Sequence, residues 1–478
     1  MGSSNNSLAM QRIAKLLDEN SFMEIGSLVT ARSTDFNLSD TDTPSDGVII
    51  GHGLIEGSLV FVYSQDASVL NGTIGEMHAK KIASVYDMAM KMGAPVIGML
   101  DCGGFRLQES VDALNGLGEI FAKQTQSSGV IPQISAVFGT CGGGLATVPA
   151  LCDFSFMESE KGKMFVNSPN AIKGNRAEKC DNSKGDFQAE ETGVIDGIGT
   201  EDQILYSIRE LVTFLPSNNN MGGLSQECGD DLNRMCSNMT QMKGDPRFVL
   251  SEIADDHIFF ETKKEFAKDM VTGFIRLNGA TIGAVANCTE IYDEEANKTD
   301  TFDNVLSAKG LSKAAEFVTF CDAFDIPVLT LTNVKGYKAC MCSEKRLAKA
   351  MAALTSAFSS ADVPKVNVIV GEAFGGAYVT MNSKSIGADL VYAWNDAKIG
   401  MMDGELAAKI MYADESADVI GQKAKEYNEL QSNVLSAARR GYVDLIIEPE
   451  TTRKYLVAAF EMLYTKSVVT ASKKHGTK

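Results

Sequence analysis

Histidine, tryptophan and proline are scarce in this chain, at 4, 1 and 10 of 478 residues. Its ten cysteines form no Cys-x-x-Cys pair, which excludes a zinc site built from paired motifs. It has no Gly-x-Ser-x-Gly elbow, no P-loop and no His-Glu-x-x-His. Basic residues number 44 against 62 acidic ones, a formal charge of -18. That balance argues against general binding of nucleic acid or anionic lipid. It leaves room for a phosphate-bearing ligand held by a few local cations or a helix N-terminus. No apolar run is long enough to span a bilayer and Met1 to Leu8 is polar, so the expectation is a soluble, cytoplasmic protein. Most cysteines lie in apolar runs, such as Ile97 to Cys102, and read as small buried thiols.

Glycine, by contrast, is plentiful, with 43 residues, and the chain is 44% hydrophobic and 22% charged. This is an ordinary α/β balance at a length that suits two domains. An internal repeat supports two. Gly129 to Gly144 reappears as Ala361 to Gly376, with Pro132 matching Pro364 and Gly139 matching Gly371, 232 positions apart. Upstream, Ala94 to Gly104 matches Ile326 to Gly336 at the same spacing. A period this long marks duplication of a whole domain.

In the first half, alternating strands from Gly47 to Tyr63 turn at Gly57. A helix is expected from about Gly75 to Met92, then a buried strand Val96 to Leu100. Another helix follows over about 112–127, and a second buried strand from Gln133 to Phe138. Strands alternating with helices imply a parallel-type sheet wrapped by helices. The polar stretch Pro216 to Gly244 marks the boundary, giving domains 1–220 and 245–478 with a linker at 221–244.

Each half then places a glycine pair directly after a buried strand, Gly143-Gly144 and Gly375-Gly376. Glycine lets a ligand approach the backbone, and first-turn N–H groups lack intrahelical acceptors. Such donors can hold a developing oxyanion. A tight strand-to-helix turn needs glycine too, but recurrence in register favours the functional reading. Chemistry that needs only positioned backbone donors, such as enolate formation from a thioester, fits a chain without a nucleophile constellation.

Further motifs carry a resemblance: Gly75-Glu76-Met77-His78-Ala79-Lys80-Lys81, Gly103-Gly104-Phe105-Arg106-Leu107-Gln108-Glu109, Phe320-Cys321-Asp322-Ala323-Phe324, Gly375-Gly376-Ala377-Tyr378 and Ala438-Arg439-Arg440-Gly441. Through these the chain resembles the carboxyltransferase subunits of biotin-dependent acyl-CoA carboxylases and decarboxylases over nearly its whole length. The resemblance implies an α/β fold of tandem crotonase-like (ClpP/crotonase) ββα-spiral domains. It implies transfer of a carboxyl group between carboxybiotin and a short-chain acyl-CoA, with biotin carried on a separate protein, in a dimer-built hexamer. Acyl-CoA would lie on the N-terminal half and carboxybiotin on the C-terminal half of a partner subunit. Gly143 and Gly144 match the pair expected to hold the thioester enolate. Gly376 and Ala377 match the pair expected at the biotin ureido oxyanion, beside Phe374 and Gly375. Arg106, Lys80 and Lys81, with Gly103 and Gly104, are the candidates to meet CoA. No metal ligand is expected.

Departures from the family pattern concentrate in the second half. An Arg-Lys pair has become Gly371-Glu372, and a Pro-Gly-Phe segment has become Lys335-Gly336-Tyr337. These changes keep open two alternatives, a catalytically weakened assembly partner and another crotonase-type acyl-CoA enzyme. Ala89-Met90-Lys91-Met92 copies a biotin-attachment motif but sits at the end of an amphipathic helix, so biotin is expected on another protein.

Overall fold

The computed structural model describes residues 7–32, 38–175, 177, 179–221, 226–293 and 295–468. The chain divides into two compact units, Met1–Gly222 and Gly223–Lys478.

The first unit carries strands β1 (Met23–Ile25), β2 (Val48–Ile55), β3 (Ser58–Gln65), β4 (Val96–Cys102), β5 (Gln133–Gly142), β6 (Phe154–Glu158), β7 (Lys163–Phe165) and β8 (Gly197–Gly199). Their order is β1-β2-β3-β4-β5-β6-β8, with β7 paired to the end of β5. The first three strands run antiparallel, and every pairing from β3 onward is parallel. The sheet starts as a hairpin, and β2 and β3 are buried over most of their length where the sequence suggests alternation. Nearly continuous apolar runs in β4 and β5 then bury both faces, as parallel strands covered by helices require.

The second unit repeats this plan. Its strands are β9 (Phe259–Thr262), β10 (Met270–Leu277), β11 (Ala280–Asn287), β12 (Glu290–Tyr292), β13 (Lys298–Thr301), β14 (Val328–Val334), β15 (Lys365–Phe374), β16 (Leu390–Trp394), β17 (Lys398–Gly400) and β18 (Leu445–Ile447). Apart from a separate ribbon, β12–β13, the sheet order β18-β16-β15-β14-β11-β10-β9 mirrors the first, with β17 on the end of β15. β4 and β5 map onto β14 and β15 at the 232-residue spacing, and the helix Glu76–Met92 onto Ala308–Ala323. The opening hairpins β2–β3 and β10–β11 are offset by only 222, because the second unit adds its ribbon between hairpin and helix.

Local chemistry explains the match. Both hairpins turn on two residues with positive φ, Glu56-Gly57 and Asn278-Gly279, the backbone that suits the twist of paired strands. The helix Glu76–Met92 buries Ala79, Ile82, Val85, Tyr86 and Ala89 along one face and stops at Gly93, which is left-handed. Lys91 therefore lies in the last turn of a packed helix.

Two boundaries differ from the sequence reading. β4 and β5 run on to Cys102 and Gly142, because short ladders with each other and with β7 extend them toward the loops. Residues 226–244 belong to the second unit and are no free connector. Gln226 donates to the Gly279 carbonyl at 3.0 Å and Cys236 to that of Glu450 at 2.9 Å. Cys236 and Met239 are buried in the second core, so a few apolar residues anchor a polar stretch. Of the cysteines, Cys102, Cys141, Cys236, Cys288 and Cys321 are buried, whereas Cys180, Cys340 and Cys342 are exposed.

Candidate functional site

Each central strand ends in the same backbone turn. Gly142 and Phe374 are extended, and Gly143 and Gly375 that follow are left-handed at φ 66° and 60°. A side chain there would be strained, which accounts for glycine at both positions. The chain then enters a short helical segment, Gly143–Ala146 continued by Thr147–Leu151, and Gly375–Thr380. First-turn N–H groups thus emerge at the end of a buried parallel strand.

This register pairs Gly143 with Gly375 and Gly144 with Gly376. The sequence reading places its second donor pair one position later, at Gly376 and Ala377. Ala377 corresponds to Leu145, and both side chains are buried. Phe374 is buried beneath the turn.

An aromatic ring stands over the second glycine in each unit. A methyl group built on Gly144 would lie 3.5 Å from Leu117 and 3.7 Å from the Phe105 ring. On Gly376 it would lie 3.4 Å from the Tyr337 hydroxyl oxygen and 3.5 Å from the ring. Both rings are held by matching backbone bridges, Ile74 to Phe105 and Leu306 to Tyr337. The glycines therefore keep open a space just large enough for one added carbon. Sequence reading missed this pair of rings, although extending the 232-residue register from Phe105 reaches Tyr337.

Below the turns the strands approach closely. A methyl group on Gly139 would collide with the Asp101 carboxylate, and one on Gly371 with the Asn333 amide. The Gln65 and Asn287 side chains accept from the Asp101 and Asn333 N–H groups at 3.1 and 2.8 Å.

The candidate phosphate ligands separate sharply. Arg106 is 2% exposed and donates to Asp46 at 2.6 Å, Glu109 at 2.8 Å and the Thr73 carbonyl at 2.9 Å. Lys81 is also buried and donates to the Ser45 and Val48 carbonyls at 2.9 and 2.5 Å. Its twin Lys313 donates to the carbonyls of Lys263, Phe266 and Met270 at 2.7 to 2.9 Å. Burial pushes both lysines down to about 8. Arg106 and Lys81 thus knit the loop before β2 to the body of the unit and do not face a ligand here. Apart from Glu109, three residues from Arg106, their partners lie 33 or more positions away, which sequence pattern does not display. Lys80 is half exposed and bonded to Glu76 at 2.7 Å. Gly103 donates to the Asn71 carbonyl at 2.8 Å, while Gly104, left-handed at φ 113°, leaves open space where a side chain would be.

His78 joins the buried ionic cluster. Its N–H donates to Asp46 at 2.7 Å and its ring contacts the Asp46 carbonyl at 2.9 Å and Gln65 at 3.2 Å. Burial, reinforced by Arg106 and Lys81, pushes it down to about 3, so it is a neutral packing residue. Burial likewise raises the Cys102 thiol to about 11, which removes it as a nucleophile.

The second unit differs in charge. Glu372, three residues before Gly375, pairs with Lys335 at 3.3 Å. The same carboxylate oxygen accepts from Asn304 at 3.2 Å, and the Glu372 N–H donates to Asn333 at 2.9 Å. Gly103 and Thr140 occupy the matching positions of the first unit. Among the described residues, no group of three or more His, Cys, Asp or Glu stands ready to hold a metal ion.

Two spiral α/β units, each ending a parallel strand in a glycine turn that opens a short helical segment, define a tandem fold. The carboxyl transferase domain model matches residues 3–477. The propionyl-CoA carboxylase beta chain of Roseobacter denitrificans is 40% identical, over 98% of this chain and 92% of the relative. The methylmalonyl-CoA decarboxylase alpha subunit of Propionigenium modestum is 39% identical at the same coverage. The transcarboxylase 12S crystal structure, a hexamer with hydrolysed methylmalonyl-coenzyme A bound, superposes with a TM-score of 0.91 at 33% identity, covering 98% of this chain and 92% of that one. The chain belongs to the carboxyl transferase family, and its fold is the tandem crotonase-like one expected from the sequence. It is an enzyme of the carboxyltransferase class.

Proposed function

We propose that the chain is the carboxyltransferase subunit of a biotin-dependent acyl-CoA carboxylase or decarboxylase. The observation that carries this reading is the duplicated glycine turn, Gly143-Gly144 and Gly375-Gly376, in a chain of this family. Two reactants need two oxyanion sites, and each unit supplies one.

The first unit takes the thioester of a short-chain acyl-CoA. As the α proton passes to the ureido nitrogen that would be freed once carbon dioxide has left it, charge moves to the thioester oxygen, where the N–H groups of Gly143 and Gly144 meet it. Donors fixed in advance stabilise that charge more than they stabilise the neutral thioester, which lowers the barrier. In the other direction the bond to the departing carboxylate breaks and its electron pair passes into the same enolate. Phe105 and Leu117 cover the position and limit water.

The second unit suits a flat ureido group. The space over Gly376 is walled by Tyr337, and Gly376 and Ala377 lie in the first turn of the helix Gly375–Thr380, whose N–H groups can hold a ureido oxygen. Carboxybiotin, carried on a separate protein, supplies carbon dioxide when bound. No helix among the described residues is long and apolar enough to cross a membrane. Like the transcarboxylase 12S hexamer, the subunit would assemble as a dimer-built hexamer, and we place it in the cytoplasm.

The test is carboxyl transfer by the purified chain. Methylmalonyl-CoA or malonyl-CoA is mixed with free biotin or a biotinylated carrier, and loss of the acid thioester is followed. Turnover that disappears when Gly144 or Gly376 is replaced supports the reading. A folded oligomer that binds CoA but turns over no acid thioester with any carrier overturns it in favour of an inactive assembly partner.

A further inference from the structure

We propose that Lys335, steadied by Glu372, is the anion-recognition residue of the second unit's site, selecting a ureido ligand that carries a carboxylate over one that does not. The inference rests on the carboxyltransferase reading and assigns a specificity determinant within it.

The two units make the argument. They share strands, turns and aromatic covers, so an exposed charge at the mouth of only one turn is a candidate to report on what that turn binds. At the mouth of the first turn the matching residues are Gly103 and Thr140, neither of them charged. At the second they are Lys335 and Glu372, 3.3 Å apart.

Placement follows from register. Val334, at the end of β14, pairs with Ala373 of β15. Lys335 therefore begins just beyond the sheet, level with the last residues before Gly375. Two residues on, Tyr337 lies over Gly376. The backbone is anchored where the lysine departs, because its N–H donates to the Asn304 carbonyl at 2.9 Å.

Charge is available as well. Glu372 engages Lys335 through one oxygen at a long distance, and that oxygen is shared with Asn304 at 3.2 Å. An ammonium has three donors, so a single shared contact leaves two for an incoming anion. The Lys335 side chain is 54% exposed against 25% for Glu372, so the cation faces outward and the carboxylate inward. A fixed carboxylate behind the lysine limits its wandering while keeping its positive end at the entrance. A ligand bearing only a neutral ureido ring gains nothing from this arrangement; one bearing a carboxylate gains a charge-assisted contact.

The experiment titrates the purified full chain by calorimetry with 2-imidazolidinone-1-acetate and, separately, with neutral 2-imidazolidinone-1-acetamide. The expected result is a preference for the acetate of about ten-fold, the scale of one hydrogen bond to a charged group. Lys335→Gln should abolish the preference and Lys335→Arg should keep it. Lys338→Gln, which removes an exposed cation nearby, should leave it unchanged. Equal binding of both probes by the wild type overturns the proposal. So does a preference that survives Lys335→Gln, or one lost equally in Lys338→Gln, which would mark bulk charge. A thermal melt of each variant separates loss of recognition from loss of fold. Turnover of methylmalonyl-CoA with biotin methyl ester is followed in parallel. Its absence in the wild type counts against the carboxyltransferase reading, whereas turnover with an unaltered probe preference in Lys335→Gln counts against this one.

Discussion

The two units share a backbone and differ in how they use charge. In the first, Arg106, Asp46 and Glu109 are buried together beneath the loop that carries Phe105. In the second, the matching positions of Arg106 and Glu109 are Lys338 and Met341, both exposed. The first loop is thus tied down from inside by ions, whereas the second is held by the Tyr337 hydroxyl against Thr380 and by the Lys335–Glu372 pair at its edge. Duplication preserved the turn that positions the donors and left its supports free to diverge. The lesson is that the glycine turn is under geometric constraint, while its supports need only hold it.

The largest expected difference between the units follows from that contrast. Arg106→Met leaves two carboxylates buried without their partner and should cost about 3–5 kcal/mol. Lys338→Met removes an exposed charge and should change stability by no more than about 0.5 kcal/mol. Chemical denaturation of both variants checks this. Similar losses in the two would break the claim that the loops are supported differently.

Equivalence of the turns themselves is tested by filling them. Alanine at Gly144 or at Gly376 meets its neighbours at ordinary contact distance, so the fold should persist. The space for a reacting oxygen should not, and each variant should lose about 100-fold in turnover, the scale of one oxyanion donor. A loss confined to Gly144→Ala would show that only the first unit acts on the reaction. Melting temperature, measured alongside, separates this from misfolding.

Much of this symmetry is legible in the chain. The 232-residue spacing finds β4, β5 and their twins because apolar runs ending in glycine are visible by type. It misses the first hairpin's twin, since the ribbon β12–β13 shifts that register by ten residues. Lys81 and Arg106 read as candidates to meet CoA because the Lys81 acceptors are distant carbonyls and Asp46 lies 60 residues from Arg106; the Arg106–Glu109 pair, three residues apart, is visible in the sequence. Lys81 nevertheless has a twin at the same spacing, Lys313, which serves the same hairpin position: Val48 and Met270 are matching acceptors. A duplicated cation that bonds backbone in both halves is structural, and that signal was present in the sequence.

His78 offers a smaller and more selective test, since Gly310 stands at its place in the second unit. The folded protein holds His78 neutral down to about pH 3, against an ordinary value of 6.5. Below 6.5 the unfolded chain takes up a proton that the folded one refuses. Stability from this residue is therefore complete above pH 6.5 and declines toward pH 3, by about 1.4 kcal/mol per pH unit. His78→Gln should flatten the acid limb of unfolding by one proton, measured as the slope of free energy against pH. An unchanged slope would mean that the ring is already charged in its cluster.

Little effect on the reaction is expected of Tyr337→Phe, which makes the second cover resemble the first. The ring stays over Gly376 and one hydrogen bond to Thr380 is lost, at 2.8 Å. Thr380 also donates to the Gly376 carbonyl at 3.0 Å, so the tyrosine hydroxyl steadies the turn at second hand. A neutral hydrogen bond of this kind contributes about 1 kcal/mol, and the melting temperature should fall by only a few degrees. Because Phe105 covers Gly144 with no hydroxyl, turnover should survive the change. If it falls as far as in Gly376→Ala, the hydroxyl acts on the reactants directly, and the two covers are alike in shape but not in chemistry.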